Sequence, residues 1–301
     1  MARTRSLLEL EHLLADEITS FLKLARRMQS GKPRPLLRGK RIALLFYEAS
    51  TRTRVSFEFA AKLLGTHTSV ISAAASSIEK GESLVDTGKT LQALGSDCII
   101  VRHPSSGAPH VLARNLHVPI INAGDGMHEH PSQALLDAYT ILRHKRSLKG
   151  LRITMVGDIQ HSRVVRSNIH LLSKFGAQIV LCGPPELLPE YAASLAPGVK
   201  VSRHIEEAAR KADVIMMLRM QKERLAGLKL DVENYIAHYQ LTPERLKLAK
   251  ADAIVMHPGP MVRGMEIQSE VADGPQSVIE EQVHNGVYVR MAILASCLGV
   301  V

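Results

Sequence analysis

Tryptophan is absent from this chain, and all aromatic residues together make up only 4 % of its 301 residues. Its core must therefore be aliphatic, and a base-stacking surface for nucleic acid is not expected. Cysteine is almost as scarce: Cys98, Cys182 and Cys297 each sit in an apolar run. An odd count, long spacings and the lack of a CxxC pair argue against a disulfide framework or a cysteine zinc site. Reduced, buried thiols in a reducing compartment are expected instead. No window of 18 apolar residues occurs, so no membrane-spanning helix is expected. The N-terminal stretch carries charges through its apolar part, unlike a secretory signal, and the expected location is the cytoplasm. Runs of five or more basic residues are also missing, although 38 Lys and Arg exceed 29 Asp and Glu to give a net charge of +9. Scattered cations suit dispersed surface charge and a site for small anions better than a nucleic-acid partner.

Short apolar runs bounded by turn residues are abundant. They predict strands over Arg41–Phe46, Thr68–Ser72, Asp97–Arg102, Val118–Asn122, Arg152–Val156, Gln178–Cys182, Val214–Leu218 and Ala253–His257. Helical patterns lie between them, over Arg54–Leu64, Leu84–Leu94, Ser132–His144, Arg163–Lys174 and Glu206–Ala212, with a last one over Ser277–Ala295. Regular alternation predicts an α/β protein with two doubly wound domains, each a parallel sheet flanked by helices, and an active site in the cleft between them. The length fits two domains. We expect residues 1–138 to form the first, with 277–301 packing back on it, and 139–276 the second.

In such sheets ligands bind beyond the carboxyl ends of the strands. Ser50-Thr51-Arg52-Thr53-Arg54 lies at such an end and opens a helix. Free N–H groups at a helix start attract anions, and hydroxyls and guanidiniums complete a phosphate cradle. A helix cap alone accounts for one hydroxyl. It leaves unexplained the two arginines in a first turn, where cations oppose the dipole. His130-Pro131-Ser132-Gln133 offers an imidazole to polarise a carbonyl oxygen and an amide to hold an NH2 group. Asp125, His128 and His130 together would suggest a metal site, but no firm third ligand is visible, and no metal is expected. The turn after Arg152–Val156 lacks G-x-G-x-x-G, so a nicotinamide cofactor is not expected, nor any other cofactor. Arg163, Arg219 and Arg224 lie at strand ends in the second half, and paired arginines suit two carboxylates.

The stretch Phe46-Tyr47-Glu48-Ala49-Ser50-Thr51-Arg52-Thr53-Arg54 resembles the carbamoyl-phosphate motif of the aspartate and ornithine carbamoyltransferases. Further elements follow in that family's order: Ser76 and Lys80 in a polar loop, Arg102 in Val101-Arg102-His103-Pro104, His130-Pro131-Ser132-Gln133, Arg163, Arg219-Met220-Gln221-Lys222-Glu223-Arg224, and His257-Pro258-Gly259-Pro260. The likeness runs from about Arg41 to Ala295. Val164 departs from it, since some relatives carry Thr there.

The resemblance implies carbamoyl transfer from carbamoyl phosphate to the amine of L-aspartate, within pyrimidine synthesis. It implies a carbamoyl-phosphate site of Ser50, Thr51, Arg52, Thr53, Arg102, His130, Gln133, Gly259 and Pro260. A neighbouring subunit would add its copies of Ser76 and Lys80. Arg52, Thr53, Arg102 and His130 would be catalytic, and Lys80, Arg163, Arg219 and Gln221 would hold aspartate. It further implies a homotrimer with shared sites, possible regulatory or dihydroorotase partner chains, and a Glu48–Arg163 link on domain closure. Ornithine as the amine is the alternative. The second half offers arginines, not the acidic residues a cationic substrate needs, and the ornithine branch's His-Cys-Leu-Pro element is missing.

Overall fold

The structure is a computed structural model that describes residues 5–31, 34–72, 81–220 and 231–300. Its elements alternate along the chain. The first group is α1 (Ala15–Ser30), β1 (Arg41–Phe46), α2 (Thr51–Leu63), β2 (His67–Ser72), α3 (Leu84–Ala93), β3 (Cys98–His103), α4 (Ala108–Asn115), β4 (Ile120–Asp125) and α5 (Pro131–His144). The second is β5 (Arg152–Val156), α6 (Arg163–Lys174), β6 (Gln178–Cys182), β7 (Lys200–Ser202), α7 (Ile205–Ala209), β8 (Val214–Met217), α8 (Val232–Tyr239), α9 (Pro243–Leu246), β9 (Ile254–Met256) and α10 (Ser269–Ala272), and α11 (Ile279–Cys297) closes the chain. None of these helices is long and apolar enough to cross a membrane.

Two compact units result. One holds the described residues up to Tyr139 together with those from Val283 onward, and the other holds Thr140–Gln282. The first sheet is parallel with strand order β2-β1-β3-β4, and the second is parallel with order β7-β6-β5-β8-β9. Both are thus parallel sheets with helices between their strands, as the alternating pattern predicts.

Continuous apolar runs make the central strands. Ile42–Phe46 of β1 and all of β8 are buried, which is what a strand covered on both faces requires. In the first unit Ala43, Leu45, Ile99 and Val101 pack against Leu112 of α4 and Leu116 just after it. In the second, Val156, Ile215 and Met217 pack with Ala208 of α7 and Tyr235 of α8. At ~1.5–3 kcal/mol for each large apolar side chain removed from water, these layers hold the strand ends in fixed register. The three cysteines are free and buried in these cores.

Each sheet has one place where the strand order reverses. In the first, the chain passes from β1 to the edge strand β2 and then returns to the other side of β1 as β3. In the second, β5, β6 and β7 run one way, and β8 then lies on the other side of β5. Loops leaving the two strands at such a point part in opposite directions and open a crevice for a ligand.

Candidate active site

The β1/β3 switch point gathers most of the predicted donor-site residues. Phe46 pairs with Arg102 in register, so the loop after β1 and the end of β3 lie side by side. Ser50 is the N-cap of α2, yet its hydroxyl makes no capping bond. Capping therefore does not account for this serine. No acidic side chain lies in the first turn, where Arg52 and Arg54 stand instead. Thr51 and Arg52 are exposed and Thr53 is buried.

Arg102 is held from two sides. Its Nε lies 3.1 Å from Oε2 of Glu48, at an angle that makes an ion pair without a directed hydrogen bond. Its Nη1 donates to the Ala123 carbonyl at 3.4 Å. His130 follows β4 and is buried, with Nε2 3.4 Å from the Thr53 hydroxyl and Nδ1 3.4 Å from the Ser132 hydroxyl. Two groups expected to polarise one carbonyl oxygen are thus neighbours. Gln133, in the first turn of α5, donates from Nε2 to Asp137 Oδ1 at 2.9 Å, which orients its amide. Asp137 in turn supports the charge of Arg290 on α11. Burial pulls the Arg290 pKa down to about 10, and Asp137 acts against that fall. The Arg290 guanidinium also stacks 5.1 Å from the ring centre of Phe57 on α2. The Asp137–Arg290 support was not read from the sequence. Its one signal was the four-residue spacing from Gln133 to Asp137, which places both on one helix face.

The β5/β8 switch point holds the predicted acceptor-site arginines. Val156 pairs with Met217, so Arg163 at the start of α6 and Arg219 just past β8 leave adjacent strands. Here the helix cap is a working one: Ser162 accepts from the Val165 N–H at 3.3 Å. Arg163 is buried and Arg219 half-buried. Gly157, at φ 129°, starts the β5 loop; a Cβ there would lie 3.0 Å from the Leu218 carbonyl oxygen, so glycine permits the two loops to approach.

The turn beyond β9 is braced from within. His257 Nδ1 accepts from the Gly259 N–H at 2.8 Å, which directs its Nε2–H to Glu266 at 3.1 Å. Both side chains are fully buried. Gly259 is half-buried and Pro260 exposed. The bracing pair of His257 and Glu266 went unread in the sequence, since nine residues separate them. Ser76, Lys80 and Gln221 lie outside the described residues.

The metal reading changes in one respect. Asp125 and His128 do have a further potential ligand close by, but it is His110 of α4. His130 instead turns towards Thr53. Sequence separation hid this arrangement.

Comparison with known proteins gives the same frame. Residues 5–143 match the model of the aspartate/ornithine carbamoyltransferase carbamoyl-P binding domain, and 149–297 match that of the Asp/Orn binding domain. The aspartate carbamoyltransferase catalytic subunit of Koribacter versatilis is 62 % identical over 296 residues, covering 98 % of each chain. That of Solibacter usitatus is 56 % identical, covering 97 % of this chain and 99 % of its own. Aspartate transcarbamoylase of Trypanosoma cruzi, solved with carbamoyl phosphate and aspartate, superposes with a TM-score of 0.88 at 33 % identity, over 98 % of this chain and 97 % of that one. Ornithine carbamoyltransferase of Pyrococcus furiosus gives 0.86 at 32 % over the same shares, so backbone shape alone does not separate the two branches. Matched by family models through both units, this chain belongs to the aspartate/ornithine carbamoyltransferase family.

Proposed function

We propose that this chain transfers the carbamoyl group of carbamoyl phosphate to the amine of L-aspartate, giving N-carbamoyl-L-aspartate and phosphate for pyrimidine synthesis. The observation that carries the reading is the set of anion-seeking groups around the β1/β3 switch point, where the Ser50 hydroxyl is left over from capping, Thr53 lies beside His130, and Arg102 ends the strand paired with β1. The names of the bacterial relatives favour aspartate over ornithine as acceptor.

In this reading Ser50, Thr51, Arg52 and Thr53 hold the phosphate of the donor. Arg102, Thr53 and His130 donate to the carbonyl oxygen and favour the negative charge that develops there. The Gln133 amide accepts from the carbamoyl NH2, and the carbonyls of Gly259 and Pro260 do the same. Arg163 and Arg219 bind the two aspartate carboxylates, with Gln221 orienting the substrate. The neutral amine attacks the carbonyl carbon, forming the C–N bond. The C–O bond to phosphate then breaks, and the departing phosphate takes the amine proton. No strong general base is needed from the protein. Ser76 and Lys80 of a neighbouring copy complete the site in a homotrimer, and the location is the cytoplasm.

A colorimetric assay with carbamoyl phosphate and either L-aspartate or L-ornithine tests this. Product with aspartate alone is expected. Product with ornithine alone would keep the donor half and overturn the acceptor half.

A further inference from the structure

Next to Gln133 lies a fully buried carboxylate that no step of the proposed reaction uses. Asp137 stands four residues after Gln133 on α5, so the two side chains share a helix face. Gln133 Nε2 donates to Asp137 Oδ1 at 2.9 Å. An ionised carboxylate has no proton to give and can only accept, whereas an amide has one donating and one accepting end of nearly the same size. Facing Asp137, the amide must therefore turn its NH2 inward, and its oxygen is left at the other end. That is the end the donor's NH2 group requires.

A cation from another element favours the ionised form of Asp137. Arg290 on α11 is buried too, and burial pulls its pKa down to about 10, which still leaves it charged at neutral pH beside Asp137. Gly286, one turn earlier on α11, makes room for the guanidinium, since a Cβ there would collide with Arg290 Nη1. The guanidinium stacks on Phe57, one turn along α2 from Thr53. Helices α5 and α11 are joined through α1: the Tyr139 hydroxyl donates to Gln29 Oε1 at 2.6 Å, and Gln29 Nε2 donates to Asn285 Oδ1 at 3.1 Å. Stability alone gives a poor account of a buried ion pair, because apolar side chains of similar volume often serve as well or better. Holding one amide in one orientation is a role that apolar side chains cannot fill.

Resting on the donor half of the function above, we propose that Asp137 is a positioning residue, charged with the help of Arg290, which fixes the Gln133 amide with its oxygen toward the donor and so makes the site select carbamoyl phosphate over an acyl phosphate of the same shape that lacks the NH2. A site built to pair an N–H rejects the analogue without it, since the site's own acceptor is then left unpaired. Without Asp137 the amide is free to turn, and its NH2 then faces the NH2 of the substrate.

Two ligands compared on folded variants test this. Steady-state kinetics give KM for carbamoyl phosphate, and competitive inhibition gives Ki for acetyl phosphate, in which a methyl group replaces the NH2. General loosening of the site weakens both, whereas a misplaced amide weakens only the first. Asp137→Asn brings an NH2 of its own, which the Arg290 charge turns away from itself and toward Gln133. The ratio of Ki to KM should then fall about three- to tenfold, the worth of one hydrogen bond, with Ki itself within about twofold. The paired change Asp137→Leu with Arg290→Met removes the contact and keeps the site filled, so the ratio should fall as far in a more stable protein. In Gln133→Ala the ratio should fall likewise, and adding Asp137→Asn should lower it no further. Circular dichroism establishes that each variant is folded. A ratio unchanged in Gln133→Ala would overturn the role given to that amide, and the inference with it. A ratio lowered in Gln133→Ala but unchanged in both folded Asp137 variants would overturn the positioning role alone, as would a further fall when Asp137→Asn is added to Gln133→Ala.

Discussion

Arg102 Nε stands 3.1 Å from Glu48 Oε2, and the two side chains extend from the ends of the paired strands β1 and β3. A cation proposed to meet the donor's carbonyl oxygen is therefore already restrained by an acidic neighbour. Glu48→Gln keeps the shape and removes the charge. We expect a loss of about tenfold or more in kcat/KM for carbamoyl phosphate, since loosely held groups lose the advantage of orientation. Steady-state kinetics at fixed aspartate would measure it. Unchanged kinetics would make the pair a structural contact only.

Arg52 is exposed on the first turn of α2 and packs into no core. Arg52→Ala should leave the fold and Tm intact while removing nearly all turnover. Full activity in a folded Arg52→Ala protein would refute the phosphate cradle.

Asp137 and Arg290 are both buried, and Asp137 supports the Arg290 charge. Asp137→Asn leaves a buried cation without its counter-charge, a change that costs about 3–5 kcal/mol in comparable pairs. Urea unfolding should show it. The double variant Asp137→Leu with Arg290→Met should recover much of the loss. Equal destabilisation by the single and double variants would mean that packing, not charge, is what matters there.

Asp97 connects β1 to β3 from the other end of the sheet. Its burial raises the carboxyl pKa, but Lys40 Nζ at 2.8 Å and the Arg41 N–H at 2.8 Å outweigh that and leave it below the usual value. A carboxylate with a depressed pKa stabilises the fold above its unfolded pKa and loses that contribution as pH falls through the folded one. Asp97→Asn should therefore narrow the stability difference between pH 6 and about pH 3 by roughly 1 kcal/mol or less, given the pair's partial exposure. Thermal unfolding across that range is the check. An unaltered pH profile would count against the Lys40 pairing.

How much of this was legible in the sequence depended on whether a feature is local. The bounds of β1, β5, β6 and α6 agree residue for residue with the apolar runs, because charged or turn residues flank each of them. The three-residue strand β7 escaped, being too short to show a period. The helix expected to reach Ala212 ends at Ala209, with Lys211 in a left-handed conformation at φ 57° that a glycine would have signalled and a lysine does not. The motif Ser50–Thr53 was visible as residues. That the Ser50 hydroxyl is not used in capping was not, since capping is decided by geometry. Glu9 and His128 are 119 residues apart in the chain, and the bridge from Leu7 to Ile121, with the Leu10 and Glu11 N–H bonds to Glu129, brings them together.

The two switch points carry unlike chemistry: hydroxyls with guanidiniums after β1 and β3, and the arginines Arg163 and Arg219, without a neighbouring Ser-Thr cradle, after β5 and β8. Each set rests on its own sheet with its own core. Under the proposed roles, a lineage that rewrites loop residues near Arg163 and Arg219 changes the amine it carbamoylates and leaves the residues after β1 and β3 as they are. The same separation offers a route to retargeting by design, where a library confined to the second set of loops would search acceptors without risking the first.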